Sequence, residues 1–175
     1  MKLPGFIANL VRPTPLSPAW LEAHCVRLQR KDYQAHAHRK SGRLIYHVTD
    51  SSKAMAIIES RCMYGTDGNE AAHFHFQLDS AHRQAEGKGM VLGFCWQGEV
   101  KRGLPGLHEI DASLREPNVL FDIATDDHGN GTWELRLYPG TKGLLLEYIE
   151  FEAASSGYNF LQPLPISIRR PEELG

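Results

Sequence analysis

The sequence is poor in cysteine and has no long hydrophobic run. Its 175 residues contain three cysteines, Cys25, Cys62 and Cys95, which are far apart and form no Cys-x-x-Cys pair. This spacing indicates neither a disulfide framework nor a thiolate zinc site, and we expect reduced thiols. The apolar runs are only a few residues long, far short of the roughly 20 that a membrane helix needs. We therefore expect no membrane partner.

A secretion signal and a strong charge bias are also missing. The first residues form no signal-peptide core and no small-residue cleavage site, so we expect a cytoplasmic protein, although delivery into another cell by an injection apparatus would leave no such mark. Lys plus Arg is 19 and Asp plus Glu is 21, a formal net charge of -2, which gives no indication of a nucleic acid or lipid partner. Three motifs are absent as well: a Walker loop, a Gly-x-Gly-x-x-Gly turn and a Gly-x-Ser-x-Gly elbow.

The composition is that of an ordinary globular domain, with 42% hydrophobic and 23% charged residues. Residues 1–42 are interpreted as a proline-rich arm and a helix, from Ser17 to about His38, that pack on the body of the protein. Residues 43–175 are interpreted as that body, a catalytic domain.

The pattern of the body alternates short helices with strands before turning mostly to strands. Residues 63–70 and 101–117 are predicted to be loops, and Ser51 or Ser52 is predicted to cap a short helix. The strands are expected at residues 43–48, 73–76, 90–96, 119–123, 133–137 and 144–152. Because regular βαβ alternation is absent, the fold class is predicted to be α+β, with split mixed or antiparallel β-sheets and a few short helices.

The last strand contains an isolated acid. Counting by twos from Leu145 places Glu147 in an otherwise apolar row with Ile149, whereas Tyr148 and Glu150 are expected on the solvent side. A carboxylate in an apolar row needs a partner or a function, because burying an unpaired charge is costly. Glu147 is therefore either a functional acid or the point at which the strand emerges into water.

Two histidine patterns are further candidates. His47 and Thr49 end the first strand of the body, where they can hydrogen-bond a polyhydroxylated ligand, although a histidine there also serves simply in packing. His73 and His75 alternate with Phe74 and are expected on the outer face of their strand, with phenylalanine inward. Two histidines at this spacing can also share a metal ion, and a third interpretation is an aromatic wall for a flat heterocycle.

These motifs occur in a recognisable order. A strand with Ile45-Tyr46-His47-Val48-Thr49 comes first, then the aromatic strand Phe74–Phe76 running into a helix, then the long apolar strand from Met90, and finally Leu146-Glu147-Tyr148-Ile149. Over roughly residues 43–152 this order resembles the ADP-ribosyltransferase superfamily, in particular its His-Tyr-Glu branch, which includes diphtheria-toxin-like and poly(ADP-ribose) polymerase-like enzymes. The resemblance rests on the order and on the Glu-Tyr-Ile end of the pattern.

The resemblance implies transfer of ADP-ribose from NAD, as co-substrate, to a macromolecular acceptor with release of nicotinamide. Glu147 would hydrogen-bond the ribose and stabilise its developing positive charge, and His47 would position the ribose and diphosphate. Arg43 or Lys88 would neutralise the diphosphate. The residues implied in NAD binding are His47, Thr49, Tyr64, Phe74, His75 and Phe76.

The tyrosine of the second family motif has no single counterpart in this sequence. An alternative is therefore a catalytically inactive binding module with the same fold, and a further one is a metal hydrolase built on His73 and His75. The resemblance itself implies no metal site. The acceptor class is open, with protein favoured over nucleic acid by the near-neutral charge, and the sequence does not indicate an oligomeric state.

Overall fold

The computed structural model describes residues 14–29, 32, 42–65, 70–86, 89–102, 112–123, 134–151 and 158–173. The described helices are α1 (Pro18–His24), α2 (Ser51–Ser60) and α3 (Leu78–Ala85), with 3-10 turns at Ala112–Leu114 and Pro171–Glu173. The described strands are β1 (Cys25–Leu28), β2 (Arg43–Thr49), β3 (Cys62–Tyr64), β4 (Ala72–His75), β5 (Met90–Trp96), β6 (Glu99–Arg102), β7 (Val119–Ile123), β8 (Glu134–Leu137), β9 (Leu144–Phe151) and β10 (Tyr158–Arg169).

The strands form one large sheet in the order β1-β10-β9-β5-β2-β4-β8-β7-β6, with β3 paired to β10 off this path. The pairs β3–β10 and β6–β7 are parallel, and the remaining described pairs are antiparallel. This confirms the predicted α+β class with mostly antiparallel strands, but the described strands join in one sheet and not in the split sheets that were predicted. The strand β5 is central, and all seven of its residues are buried, as its continuous apolar run predicts.

One helix covers each face of the central strands. Helix α2 buries Ala54, Ile57 and Ile58, at helical spacing, against the main apolar cluster of the sheet. Helix α3 buries Ala81 and Ala85 on the other face, against a smaller cluster. The start of α2 is capped by Asp50, whose carboxylate accepts from the Lys53 amide at 2.8 Å, and not by the predicted serines.

The predicted N-terminal helix is shorter than expected. It ends at His24, because Cys25 adopts an extended conformation and residues Cys25–Leu28 pair with β10 as strand β1. Leu16 from the predicted arm and Leu21 from the predicted helix belong to the main apolar cluster. The rest of the predicted helix, residues 30, 31 and 33–38, lies outside the described residues.

Besides β1, three further strands lie where none was predicted. Strand β3 lies largely in the predicted loop 63–70, β6 reaches into the predicted loop 101–117, and β10 occupies the unassigned C-terminal part of the chain. The turn predicted at residues 126–131 lies outside the described residues. No helix in the described part of the chain is long and apolar enough to cross a membrane.

Candidate functional site

The sheet opens between β2 and β4. Strand β2 pairs with β5 along its whole length, and β4 pairs with β8 through all four of its residues. In contrast, β2 and β4 share one register pair, Tyr46 with His75. Beyond that pair the His47 side chain connects the two strands, with Nδ1 donating to the His73 carbonyl at 2.9 Å. The place where the pairing of β2 with β4 stops, beside His47, is called the opening below.

The His47 ring is held in a defined chemical form. Burial lowers the pKa of His47, and the nearby His73, His75 and Lys53 lower it further, whereas the bond to the His73 carbonyl acts in the opposite direction. The ring is therefore neutral at pH 7. Because a carbonyl oxygen only accepts, Nδ1 carries the proton and Nε2 is left as an acceptor. A ligand hydroxyl is the natural partner for such an atom.

One register row next to the opening contains a second acid, on the sheet face opposite the one to which His47 belongs. Tyr46, His75 and Glu134 form one row across β2, β4 and β8. Sequence reasoning missed Glu134. The available signal was the period-two alternation of residues 133–137, in which an acid directly precedes a buried leucine. In the next row, His73 is paired with the buried Arg136.

Glu147 lies on the other side of β2. It belongs to β9, which is separated from β2 by β5, and it is 4% exposed. Leu146 pairs with Phe94 and Tyr148 pairs with Gly93, so Glu147 is an extra residue at a β-bulge. Its ladder with β10 is irregular at the same place. Glu147 is thus buried, as one interpretation of the sequence required, but the structure does not place it beside the opening.

The bulge also overturns the predicted side-chain rows of this strand. Leu145 pairs with Cys95 and Ile149 with Leu92, which lie on opposite faces of β5, so Leu145 and Ile149 do not share a row. Tyr148 and Glu150, expected on the solvent side, are 1% and 9% exposed.

The reason for this burial is helix α3, which covers that face. Its His82 donates through Nε2 to Glu150 Oε2 at 2.6 Å, and the Tyr148 hydroxyl donates to the same oxygen. A carboxylate buried with two such partners belongs to the interior of the fold rather than to a wet surface.

The aromatic candidates are divided between the core and the surface. Phe74 is 1% exposed and packs edge-on against Phe94, with its ring centroid 5.8 Å from that of His47. Phe76 follows β4 and is 44% exposed, with the Arg43 guanidinium 5.2 Å from its ring centroid. The predicted inward phenylalanine and outward histidines are thus confirmed within β4, whose burial alternates along Ala72–His75.

The remaining candidates are scattered. Thr49 is the last residue of β2, on the same strand as His47, whereas Tyr64 lies on β3 and pairs with Arg169 of β10. Arg43 forms an ion pair with Asp122 at 3.2 Å, and Lys88 lies outside the described residues.

The described residues contain no group of three or more His, Cys, Asp or Glu side chains that could hold a metal ion. The ring of His75 is instead hydrogen-bonded through Nε2 to Gln84 Oε1. The structure therefore places His47, Phe74 and Thr49 on one face at the opening and His75, in the row of Glu134, on the other face, and leaves Tyr64 and Glu147 elsewhere. No family model, no curated protein and no solved structure matches this chain.

Proposed function

We propose that this protein transfers ADP-ribose from NAD to a macromolecular acceptor and that the nicotinamide ribose binds at the opening between β2 and β4. The observation that supports the proposal is the neutral His47 ring, which is fixed by the His73 carbonyl and retains Nε2 as an acceptor. Such an atom positions a ribose hydroxyl without transferring a proton. The resemblance of residues 43–152 to the superfamily supplies the choice of NAD.

The reaction breaks the bond between ribose C1′ and the nicotinamide nitrogen. Nicotinamide leaves with the bonding electron pair, positive charge develops on the ribose, and a nucleophile of the acceptor attacks C1′ and loses its proton. A carboxylate that hydrogen-bonds the ribose stabilises this charge most strongly when water is excluded. The site therefore needs one acid close to the opening.

We assign this role to Glu134 from the place of its strand alone, since β8 lies on the same side of β2 as the opening, whereas the row of Glu134, with His75 and Tyr46, belongs to the sheet face opposite His47. Neighbouring strands are about 4.8 Å apart, so β8 lies roughly 10 Å from β2 on the side where the opening lies. Strand β9, which carries Glu147, is equally distant but lies on the opposite side of β2, behind the fully buried β5. Glu147 remains the acid predicted from the sequence. Replacing each of the two acids in turn by glutamine tests which one acts.

The test measures free nicotinamide after incubation with NAD, with and without protein acceptors. We expect Glu134→Gln to lower release about a hundredfold, the size of effect seen when one transition-state hydrogen bond is removed, while NAD binding persists. The His47→Asn variant keeps an amide donor for the His73 carbonyl but removes the Nε2 acceptor, so it should weaken NAD binding as well as turnover. The exposed Glu116, which pairs with Lys101 at 2.9 Å, provides the control Glu116→Gln.

The outcomes separate the assignments. Loss of release with Glu134→Gln but not with Glu147→Gln supports the proposed site. Loss with Glu147→Gln alone returns the role to the acid expected from sequence and overturns the choice of Glu134. Absence of nicotinamide release from the unaltered protein with every acceptor contradicts the transferase proposal and favours the inactive binding module.

A further inference from the structure

A second candidate binding region lies where β3 pairs with β10. An open cavity of about 170 Å³ is lined by the end of α2, by β3, by the turn before β9 and by the end of β10. It is separated from the opening at β4 by β9, β5 and β2. Its polar lining residues include three cations and two hydroxyl side chains: Arg61, Lys142, Arg169, Ser60 and Ser167.

The charge of this lining is uncompensated. No Asp or Glu is among the residues that line the cavity, and within the described residues none of its three cations forms an ion pair. Elsewhere the described cations commonly have acidic partners, as Lys101 does in Glu116 and Arg170 does in Glu70. In a chain with a formal charge of -2, three cations that line one cavity without an ion pair among the described residues are a local feature that attracts an anion.

The backbone holds Arg61 in place. Arg61 ends α2 in the left-handed conformation, with φ of 59°, where glycine is the usual residue. Its N–H donates to the Ile57 carbonyl at 2.9 Å, and its own carbonyl accepts from the Ser167 amide at 3.0 Å. These bonds fix the backbone of Arg61 at the C-terminal end of α2, where a cationic side chain is favoured. An arginine at a position that favours glycine indicates that its cationic side chain has a function.

Lys142 and Arg169 are anchored as well. The Lys142 amide donates to Asn118 Oδ1 at 2.8 Å, which fixes the turn before β9. Arg169 lies in β10, paired in register with Tyr64 of β3. The cations therefore project from backbone segments with defined positions, so binding an anion orders only their side chains.

We propose that this cavity binds the phosphate group of a phosphate monoester. The volume is well below the roughly 300–1,000 Å³ of pockets that enclose whole small-molecule ligands, so it holds the phosphate while the rest of the ligand remains outside. Arginine and lysine supply charge-assisted hydrogen bonds to the phosphate oxygens. The inference does not depend on the proposed transfer reaction, because it uses neither NAD nor the opening at β4.

The test is calorimetric titration of the full chain with inorganic phosphate and, separately, with a nucleoside monophosphate at low ionic strength. We expect saturable binding of both probes, weakened about tenfold by Lys142→Gln or Arg169→Gln, the loss typical of one charge-assisted contact. Arg61→Gly should weaken binding similarly while preserving thermal stability, because glycine adopts the left-handed conformation without strain. Arg170→Gln removes a neighbouring cation that does not line the cavity, and it should bind as the unaltered protein does.

The proposal is overturned if the unaltered protein shows no saturable heat with either probe, or if the Arg61→Gly and Arg169→Gln double variant binds phosphate as tightly as the parent. Equal weakening in Arg170→Gln would also overturn it, since the effect would then reflect general surface charge. Binding of the nucleoside monophosphate but not of inorganic phosphate would mean that the base or sugar carries the affinity, which contradicts the proposal as well.

Discussion

The neutral state of His47 can be tested through the pH dependence of stability. Burial holds the pKa of His47 below its ordinary value of 6.5 in the folded chain, whereas the unfolded chain has no such burial. Below pH 6.5 the unfolded state therefore binds more protons at this site than the folded state does. Stability contributed by His47 is present above pH 6.5 and is lost as the pH falls toward the folded pKa.

The size of the effect follows from the linkage. A single histidine that stays neutral in the folded state and titrates at 6.5 in the unfolded state lowers the unfolding free energy by about 1.4 kcal/mol when the pH falls from 7.5 to 5.5. A folded pKa inside that interval gives a smaller loss, so the measured curve also locates the pKa. The other histidines of the chain contribute their own slopes, and a matched variant is needed to subtract them.

The assay is urea unfolding of the parent and His47→Asn at several pH values from 7.5 to 5.5. Asparagine retains a donor for the His73 carbonyl but does not titrate, so the difference between the two curves isolates the imidazole. We expect the parent to lose about 1.4 kcal/mol more than the variant over this range. A difference that stays constant with pH would show that burial does not depress the pKa of His47, and the argument for Nε2 as a standing acceptor would fail.

Two further predictions concern the packing beneath α3. A Cβ added at Gly93 would lie 2.5 Å from Tyr148 Cδ1. The Gly93→Ala variant should therefore lower the unfolding free energy, measured by urea unfolding, by about 1–3 kcal/mol. If the loss is no smaller when Tyr148 is already replaced by alanine, the steric explanation is wrong. Glu150→Ala removes the shared acceptor of His82 and Tyr148 and should cost about 1–3 kcal/mol by thermal unfolding. Adding Tyr148→Phe should recover part of the Glu150→Ala loss, because the hydroxyl left without an acceptor is then gone too.

The central strands could be predicted from the sequence because their pattern is local. The seven residues of β5 are almost all apolar, and burial on both faces is what such a run requires. Strand β10 gave no such signal. It contains Pro163 and Pro165, which argue against a central strand. Both are exposed in the structure, and Pro163 lies in the irregular part of the ladder with β9, whereas Pro165 pairs in register with Leu145.

The position of Glu147 shows why an unusual residue does not by itself locate a site. The sequence correctly singled out an isolated acid in a buried strand, and Glu147 is buried. The row assigned to it assumed regular alternation, which the bulge between Leu146 and Tyr148 breaks. A bulge depends on how two partner strands fit together, so counting along one strand cannot reveal it. For the same reason the row that joins Tyr46, His75 and Glu134 becomes visible only once the pairing is known.

The pairing also determines which side of the opening can adjust to a ligand. Seven register pairs join β2 to the buried β5, whereas β2 is held to the half of the sheet containing β4 by the Tyr46 and His75 pair, by the His47 ring and by the Arg43 and Asp122 ion pair. The ion pair lies at the start of β2 and His47 near its end, so the two halves are held together more firmly where the strand begins. A ligand that enters beside Thr49 therefore meets resistance from β2, and displacing β4 would break the His47 bond and disturb Phe74, which is buried against Phe94. Because that bond fixes Nε2 of His47 as an acceptor, the proposed ribose binding requires β4 to stay in place.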